Sequence, residues 1–405
     1  MRRPAQGRSM PEVPREPATP RRVVVVGAGV AALECVLALR DLAEAPLHVT
    51  LIAPETAFTL RPLDIARPLE RRPEGEVALD GFMTEHGGRF RRTAMVAVDT
   101  AQRAVRCTSG PDEPYDTLVV AVGAPVRTAS APVITFGEDA DGPVRLLAEL
   151  EREVVRSIAF VVPTGCAWPL PLYELALMLA DRVCDLGLAD VDLRLVTPER
   201  APLDLFGMRA SAALSRLLGV AGIAVHADTG AAERPDADRV VTLPVMTGPR
   251  VDGLPADVDG FVPVDDYGRV LGVGDAYAAG DAADHPIKQG ELTCQQAHAV
   301  ATHIAAAAGG PVDAVPYVPA LRGRLMTGPD GRFDHRPVAS TATAVATRPL
   351  WWPYAKVPSR YLAPYLERHG LVDRPLPPEA RGPGVDVRLP LGRLERRAVA
   401  ASHQR

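Results

Sequence analysis

Asparagine is absent from this chain and lysine occurs only twice, at Lys288 and Lys356, so nearly all of its 45 basic residues are arginine. We read that bias as GC-rich coding, not mechanism. The basic residues are scattered and are outnumbered by 50 acidic ones, for a net charge of −5. No stripe is present that could track a phosphate backbone, and nucleic acid is not expected as a partner. Cysteine is scarce: Cys35, Cys107, Cys166, Cys184 and Cys294 are odd in number and contain no CxxC. This argues against a secreted disulfide scaffold and a zinc centre, and no metal ligands are expected. Long apolar runs are lacking as well. The longest near the start, residues 23–33, is well short of the roughly 18 that cross a bilayer. Arg21 and Arg22 ahead of it do not make a twin-arginine signal, because Gly27, Gly29 and Glu34 interrupt the run. A transmembrane segment is therefore not expected, and a cytoplasmic location is, with peripheral contact at the inner face of the membrane as its variant.

What is present is a globular chain of 405 residues, 47% hydrophobic, long enough for two to three domains at about 150 residues each. Residues 1–20, with five prolines and four arginines, predict a disordered leader. Residues 23–26 are four valines fit for a strand buried on both faces, 27–29 make a turn, 30–42 read as a helix and 47–52 as a second strand. That is the opening βαβ of a dinucleotide fold. Residues 56–116 mix short strands and turns, and 117–122 form another buried strand that stops at Gly123. Helices over 144–156, 171–186 and 207–218 then alternate with strands over 158–162, 191–196 and 223–227, a second βαβ unit. A strand within 272–283 ends in an Ala-Gly-Asp turn, and an alanine-rich helix covers 291–308. Short strands follow, with a hairpin-like turn at 327–331, a helical stretch at 359–368 and a proline- and arginine-rich tail.

The expected class is α/β, with two Rossmann-like, three-layer ββα nucleotide-binding domains, the second inserted in the first, and a C-terminal α+β unit. The first domain spans 21–137 and 256–310, the second 138–255, the C-terminal interface unit 311–370 and the tail 371–405.

Gly27-x-Gly29-x-x-Ala32 lies between a strand and a helix. The first glycine permits the tight turn, the second lets backbone approach a pyrophosphate, and the third position packs helix on strand and tolerates alanine. Gly27, Ala28, Gly29, Val30 and Ala31 are thus candidate dinucleotide contacts. The acid expected on the ribose at the end of the second strand is replaced by Ala53. Either Glu55 reaches the ribose from two residues later, or it is an ordinary loop carboxylate and backbone and water hold the sugar.

Four segments in this order resemble the flavoprotein disulfide-reductase-like superfamily, in its branch of type II NADH dehydrogenases and sulfide:quinone reductases. They are residues 24–29 (VVVGAG), 115–123 (YDTLVVAVG), 277–281 (YAAGD) and 287–290 (IKQG). The resemblance covers residue 21 to roughly 310 and implies FAD as cofactor. It adds Arg61, Ala121, Gly123, Gly280, Asp281, Gln289 and Gly290 to the cofactor contacts. Asp281, placed after a strand, can accept hydrogen bonds from ribityl hydroxyls while Gly280 admits their close approach. The helix after Gly290 aims its positive end at the flavin pyrimidine, where reduction develops negative charge. Lys288 either adds charge there or is a solvated loop lysine.

In the second domain the resemblance thins. After the strand stand residues 163–171 (PTGCAWPLP), where only Gly165 survives from a glycine motif. Pro163 lacks an amide donor and Trp168 is bulky where a pyrophosphate would lie. Glu199 is nevertheless placed like a ribose acid, which leaves NAD(P)H open as a second cofactor. Sulfide:quinone reductases also lack that glycine pattern and carry a redox cysteine near this turn. Cys166 is therefore either a thiolate nucleophile activated at a helix N-terminus or a small buried hydrophobe. A second redox cysteine would have to be Cys294, on the helix after Lys288, and Cys35, Cys107 and Cys184 are expected to pack. Trp351 and Trp352 could cover the flavin, shape a quinone slot, form a homodimer contact or pack in the core. Together these features predict an FAD-dependent oxidoreductase passing two electrons from NAD(P)H or a small reductant to a quinone, oxygen or protein acceptor. The alternatives are a sulfide:quinone reductase-like enzyme using Cys166 and a flavin-binding protein without turnover.

Overall fold

The computed structural model describes residues 20–61, 76–127, 133–139, 141–229, 235–325, 344–346, 356–371 and 385–390. The expectations for the leader, the turn at 327–331, Trp351, Trp352 and most of the tail lie outside the described residues. Within them, the four consecutive valines open the fold. Branched Cβ atoms suit a strand covered on both faces, and in β1 (Arg21–Val26) all four are buried. After the glycine turn come α1 (Val30–Leu42) and β2 (Leu47–Ala53), which pairs parallel to β1 with Val23 opposite Val49. β3 (Arg89–Arg92) extends the sheet beyond β2, and β4 (Thr117–Val120) flanks β1 on its other side. Asp116 fixes the start of β4. Its carboxylate accepts the Arg22 backbone N–H at 2.8 Å and the Arg22 guanidinium at 2.7 Å, and that hydrogen-bonded pairing holds the carboxyl down at about 2.

A short antiparallel meander (Met95–Asp99, Ala104–Cys107 and Glu113–Pro114) covers one face of this sheet. It packs Val98, Val105 and Tyr115 against Val24, Val26 and Ile52.

The chain then builds a second sheet. In order come β5 (Ile134–Thr135), α2 (Gly142–Glu151), β6 (Ser157–Val161), α3 (Leu170–Asp185), β7 (Asp192–Val196), α4 (Met208–Val220), β8 (Ile223–His226) and β9 (Arg239–Thr242). All five strands are parallel, in the order β5-β9-β6-β7-β8. β9 is not anticipated by the sequence. Four residues after an Asp-rich turn carry too little periodicity to announce a strand, yet Val240 and Val241 are buried beside β6.

Beyond this insertion the chain returns to the first sheet. β10 (Ala276–Ala278) completes the parallel order β10-β4-β1-β2-β3, and α5 (Gly290–Ala307) packs on α1 across the face opposite the meander. Small residues at this contact, among them Ala31, Ala32, Ala297 and Ala301, let the two helices approach. Helices, parallel sheet and meander make the expected three layers. Both sheets and their helices agree with the expected α/β, Rossmann-like class.

β11 (Ala320–Leu325), β12 (Ala344–Ala346), α6 (Leu362–Arg368) and β13 (Val385–Pro390) follow, the strands forming an antiparallel sheet in the order β11-β13-β12. This sheet leans on the second domain: Leu321 and Leu325 join its core, and a methyl group at Gly323 would lie 2.9 Å from the Phe206 ring and 3.5 Å from Leu170. α6 docks on α1 instead. The buried Glu34 carboxylate accepts the backbone N–H groups of Arg360, Tyr361 and Leu362 at 3.1, 3.2 and 2.6 Å, and burial pushes it up to about 7 against those hydrogen bonds. An ion pair between Lys356 and the buried Glu174 ties the segment before α6 to α3. Among the described residues, no helix is long and apolar enough to cross a membrane.

Candidate functional site

The candidate ligand site lies where β1, β2, β4 and β10 end on one edge of the first sheet, the edge at which open parallel sheets hold their ligands. Gly27 turns the chain with φ at +127°, a region that side chains rarely adopt, and a Cβ there would stand 2.1 Å from the Ala121 carbonyl oxygen. Only glycine fits. Its N–H donates to the Ile52 carbonyl at 2.8 Å, which keeps the turn tied to β2. Gly29 is the opposite case: it is exposed, and nothing lies within 4 Å of where its Cβ would be. No side chain caps α1 at this residue. The amides of Val30, Ala31 and Ala32 cannot bond within the helix, and they lie behind the exposed backbone of Gly29. Gly123, with φ at +73°, leaves open room after β4 and Ala121, and Glu55 stands exposed two residues beyond β2.

Across the same edge, β10 runs into a single tight turn, Gly280–Ala282. Burial pushes the Asp281 carboxyl up, with the charges of Lys288 and Arg61 opposing. Lys288 is not a solvated loop lysine. It is buried, its ammonium donates to the carbonyls of Asp281 at 3.1 Å and Ala283 at 2.5 Å, and it sits 3.8 Å from the centre of the Phe261 ring. Burial draws it down to about 8, against the pull of Asp281, Asp284 and Asp257. The Gln289 side chain is turned into the protein, accepting the Leu292 N–H at 2.8 Å and donating to the Arg322 carbonyl at 3.1 Å. The Gln289 side chain is thus committed within the protein, and Gly290 packs against Val357, which a Cβ there would meet at 3.2 Å. Sequence reasoning missed two neighbours, Phe261 beneath Lys288 and Gln296, which accepts the Gly280 N–H at 2.7 Å. A signal for Gln296 existed: it lies three residues after Thr293, on the helix face that meets Gly280.

The equivalent edge of the second sheet is built differently. α3 starts at Leu170, but Pro169 and Pro171 flank that residue and Pro163 precedes the turn, so three amides a phosphate would use are missing. Two others are engaged locally: Leu172 N–H donates to the Pro169 carbonyl at 3.0 Å and Cys166 N–H to the Pro163 carbonyl at 3.1 Å. Trp168 packs on Phe206 with ring centres 5.8 Å apart. Glu199, placed like a ribose acid, points inward, accepting the Tyr173 hydroxyl at 2.5 Å and the Thr197 hydroxyl at 3.0 Å while burial pushes its carboxyl up.

The cysteines do not make a thiolate pair here. Cys166 is buried in the core of the second domain, and burial pushes its thiol up to about 12 instead of the lowering expected at a helix N-terminus. Cys294 is buried on α5 with its thiol pushed well up by the same cause. Cys35 packs in the core and Cys107 is half-buried, whereas Cys184, expected to pack, is exposed near the end of α3.

Residues 12–155 match the pyridine nucleotide-disulphide oxidoreductase family model. No curated protein matches the sequence. Among solved structures, the sulfide:quinone oxidoreductase of the hyperthermophilic bacterium Aquifex aeolicus is similar at 22% identity and a TM-score of 0.64, over 70% of this chain and 76% of that one. NDH2 of Plasmodium falciparum, solved in complex with RYL-552, is similar at 16% identity and a TM-score of 0.51, over 65% and 64% of the two chains. A third, Fdr9, is similar at 19% identity and a TM-score of 0.55, over 82% and 86%.

Proposed function

We propose that this chain is an FAD-dependent oxidoreductase of the pyridine nucleotide-disulphide oxidoreductase superfamily, in which a small reductant such as sulfide, and not a nicotinamide docked on the second domain, would supply the two electrons that FAD takes up. The acceptor class we favour is a quinone, ahead of oxygen or a protein. The observation that carries this reading is the contrast between the two turns: α1 begins at an exposed glycine and keeps its first amides, and α3 begins among prolines that lack them, with the nearby acid turned inward.

The residues of the first edge fit FAD. The amides of Val30 to Ala32 and the turn at Gly27 would hold the pyrophosphate, and Glu55 lies within the loop that would meet the adenosine ribose. Asp281 would accept the ribityl hydroxyls, the charges of Lys288 and Arg61 favouring its ionised form against burial. Gly123 leaves backbone close to the ligand without a side chain in the way. FAD bound there supplies the two-electron chemistry of its isoalloxazine ring. The positive end of the 18-residue α5 and the ammonium of Lys288 would offset negative charge that reduction develops beside them. We assign cofactor binding to residues 21–137 and 256–310, and place the enzyme in the cytoplasm, touching the inner face of the membrane to reach a quinone.

The test is an anaerobic absorbance titration with NADH, NADPH and sulfide in turn, following the flavin band near ~450 nm. Bleaching by sulfide, with slow or no bleaching by either nicotinamide, is expected. Rapid bleaching by NADH or NADPH would overturn the assignment of the donor, and the lack of any flavin band after reconstitution would overturn the whole reading.

A further inference from the structure

We propose that Gln296 is a positioning residue for Asp281: its side-chain oxygen holds the turn that presents this carboxylate, an inference that rests on the reading of Asp281 as a flavin contact. Three glutamines on the first turns of α5 have different tasks. Gln289 grips the Arg322 carbonyl, and Gln295 pairs with the backbone of Ala320, donating to its carbonyl and accepting its N–H, both at 2.9 Å. Those two face β11. Gln296, buried at 4% exposure, faces the other way and accepts the Gly280 N–H at 2.7 Å.

Lys288 and the amides of Ala283 and Val262 hold the carbonyls of the turn, on Asp281, Gly280 and Ala282, so what Gln296 adds is the grip on its first N–H. The turn follows a three-residue strand, and Gly280 holds φ at +75° in a slot where a Cβ would come 3.1 Å from the Ala31 methyl and 3.2 Å from a Thr293 methyl. The slot confines the backbone sterically but offers its N–H no other acceptor. A buried N–H without a partner costs the full loss of its hydration, so a chain lacking the Gln296 oxygen would turn Gly280 toward another acceptor. The next residue is Asp281, and its carboxylate would move with that peptide.

The test compares Q296M, which keeps the volume and removes the acceptor, with Q296N, which keeps an amide one methylene too short to reach. Q295M serves as the control, because it cuts hydrogen bonds of the same helix to β11. FAD affinity, the visible circular dichroism of bound flavin and apoprotein melting are measured on the full chain. Both Gln296 variants are expected to weaken FAD about tenfold and to change the flavin dichroism, while Q295M lowers melting but leaves FAD affinity within about twofold. If either Gln296 variant folds and binds FAD as the wild type does, or if Q295M weakens FAD as much, the positioning role is overturned. A wild-type chain that takes up no FAD would overturn the cofactor reading and this inference together, a result seen before any substitution is made.

Discussion

The chain builds a strand, a turn and a helix twice at the edge of a parallel sheet, and the two copies end in opposite conditions. At the first, Gly27 makes the turn, Gly29 is exposed with no side chain, and the first helix residues all keep their amide donors. At the second, Pro163, Pro169 and Pro171 replace amide donors, Trp168 packs on Phe206, and Tyr173 and Thr197 hold Glu199 inward. The C-terminal sheet also rests on this side, with Gly323 against Phe206 and Leu170. The second turn thus keeps a nucleotide-binding topology while lacking three of the amide donors at that place.

The sharpest way to break the comparison is to fill the two turns. Gly27→Val places a branched side chain where even a Cβ meets the Ala121 oxygen at 2.1 Å, so FAD affinity should fall more than about a hundredfold in a reconstitution assay. Gly165→Ala meets nothing closer than Val245 at 3.9 Å and carries only the strain of φ at +80°, which should cost about 1 kcal/mol in denaturant unfolding and leave FAD affinity unchanged. Equal losses of FAD in both variants would erase the distinction.

A smaller effect is expected behind the first turn, where Glu34 of α1 caps α6. Its folded carboxyl is raised from 4.5 to about 7, so the protonated form favours folding. The stability it contributes is complete below pH ~4.5 and is lost as pH rises through about 7. Melting temperature should decline across this window, and Glu34→Gln, which keeps an acceptor without a titrating group, should flatten that decline. An unchanged pH profile in the variant would show that Glu34 is not its source.

Lys288→Met removes the buried ammonium at the edge where we place the flavin. The flavin midpoint potential should fall by about 30 mV, a tenfold loss for a two-electron couple. A potential equal to that of the wild type would place the ammonium outside the reach of the ring. The smallest effect belongs to Cys166→Ser. With the thiol pushed up to about 12, the account predicts a sulfide bleaching rate within about twofold of the wild type and a stability loss of about 1 kcal/mol from a buried hydroxyl. A rate lowered a hundredfold would make this cysteine the nucleophile.

Much of the fold was legible because its signals are local. Four valines, two glycines and the helical stretch after them specify β1, the turn and α1, whose helix begins and ends where the sequence places it, at Val30 and Leu42. β9 was not legible, since four residues gain their strand character from buried neighbours on β5 and β6 rather than from their own pattern. The site divides in the same way. Backbone roles at Gly27 and Gly280 follow from residue type, because only glycine permits them. Side-chain environments do not: the burial of Lys288 over Phe261, the inward turn of Glu199 and the grip of Gln296 on Gly280 depend on partners between 16 and 27 residues away in sequence. Cys166 shows the limit most plainly, since a position before a helix suggests a lowered thiol and the packing around it raises one.

The most direct test of the contrast between the two turns is calorimetric titration of the protein with FAD and, once FAD is bound, with NADH and NADPH. The account predicts one tightly bound FAD per chain and no nicotinamide binding stronger than about 1 mM. A one-to-one NADH or NADPH isotherm in the micromolar range would contradict it, because the second turn would then bind a dinucleotide despite its prolines.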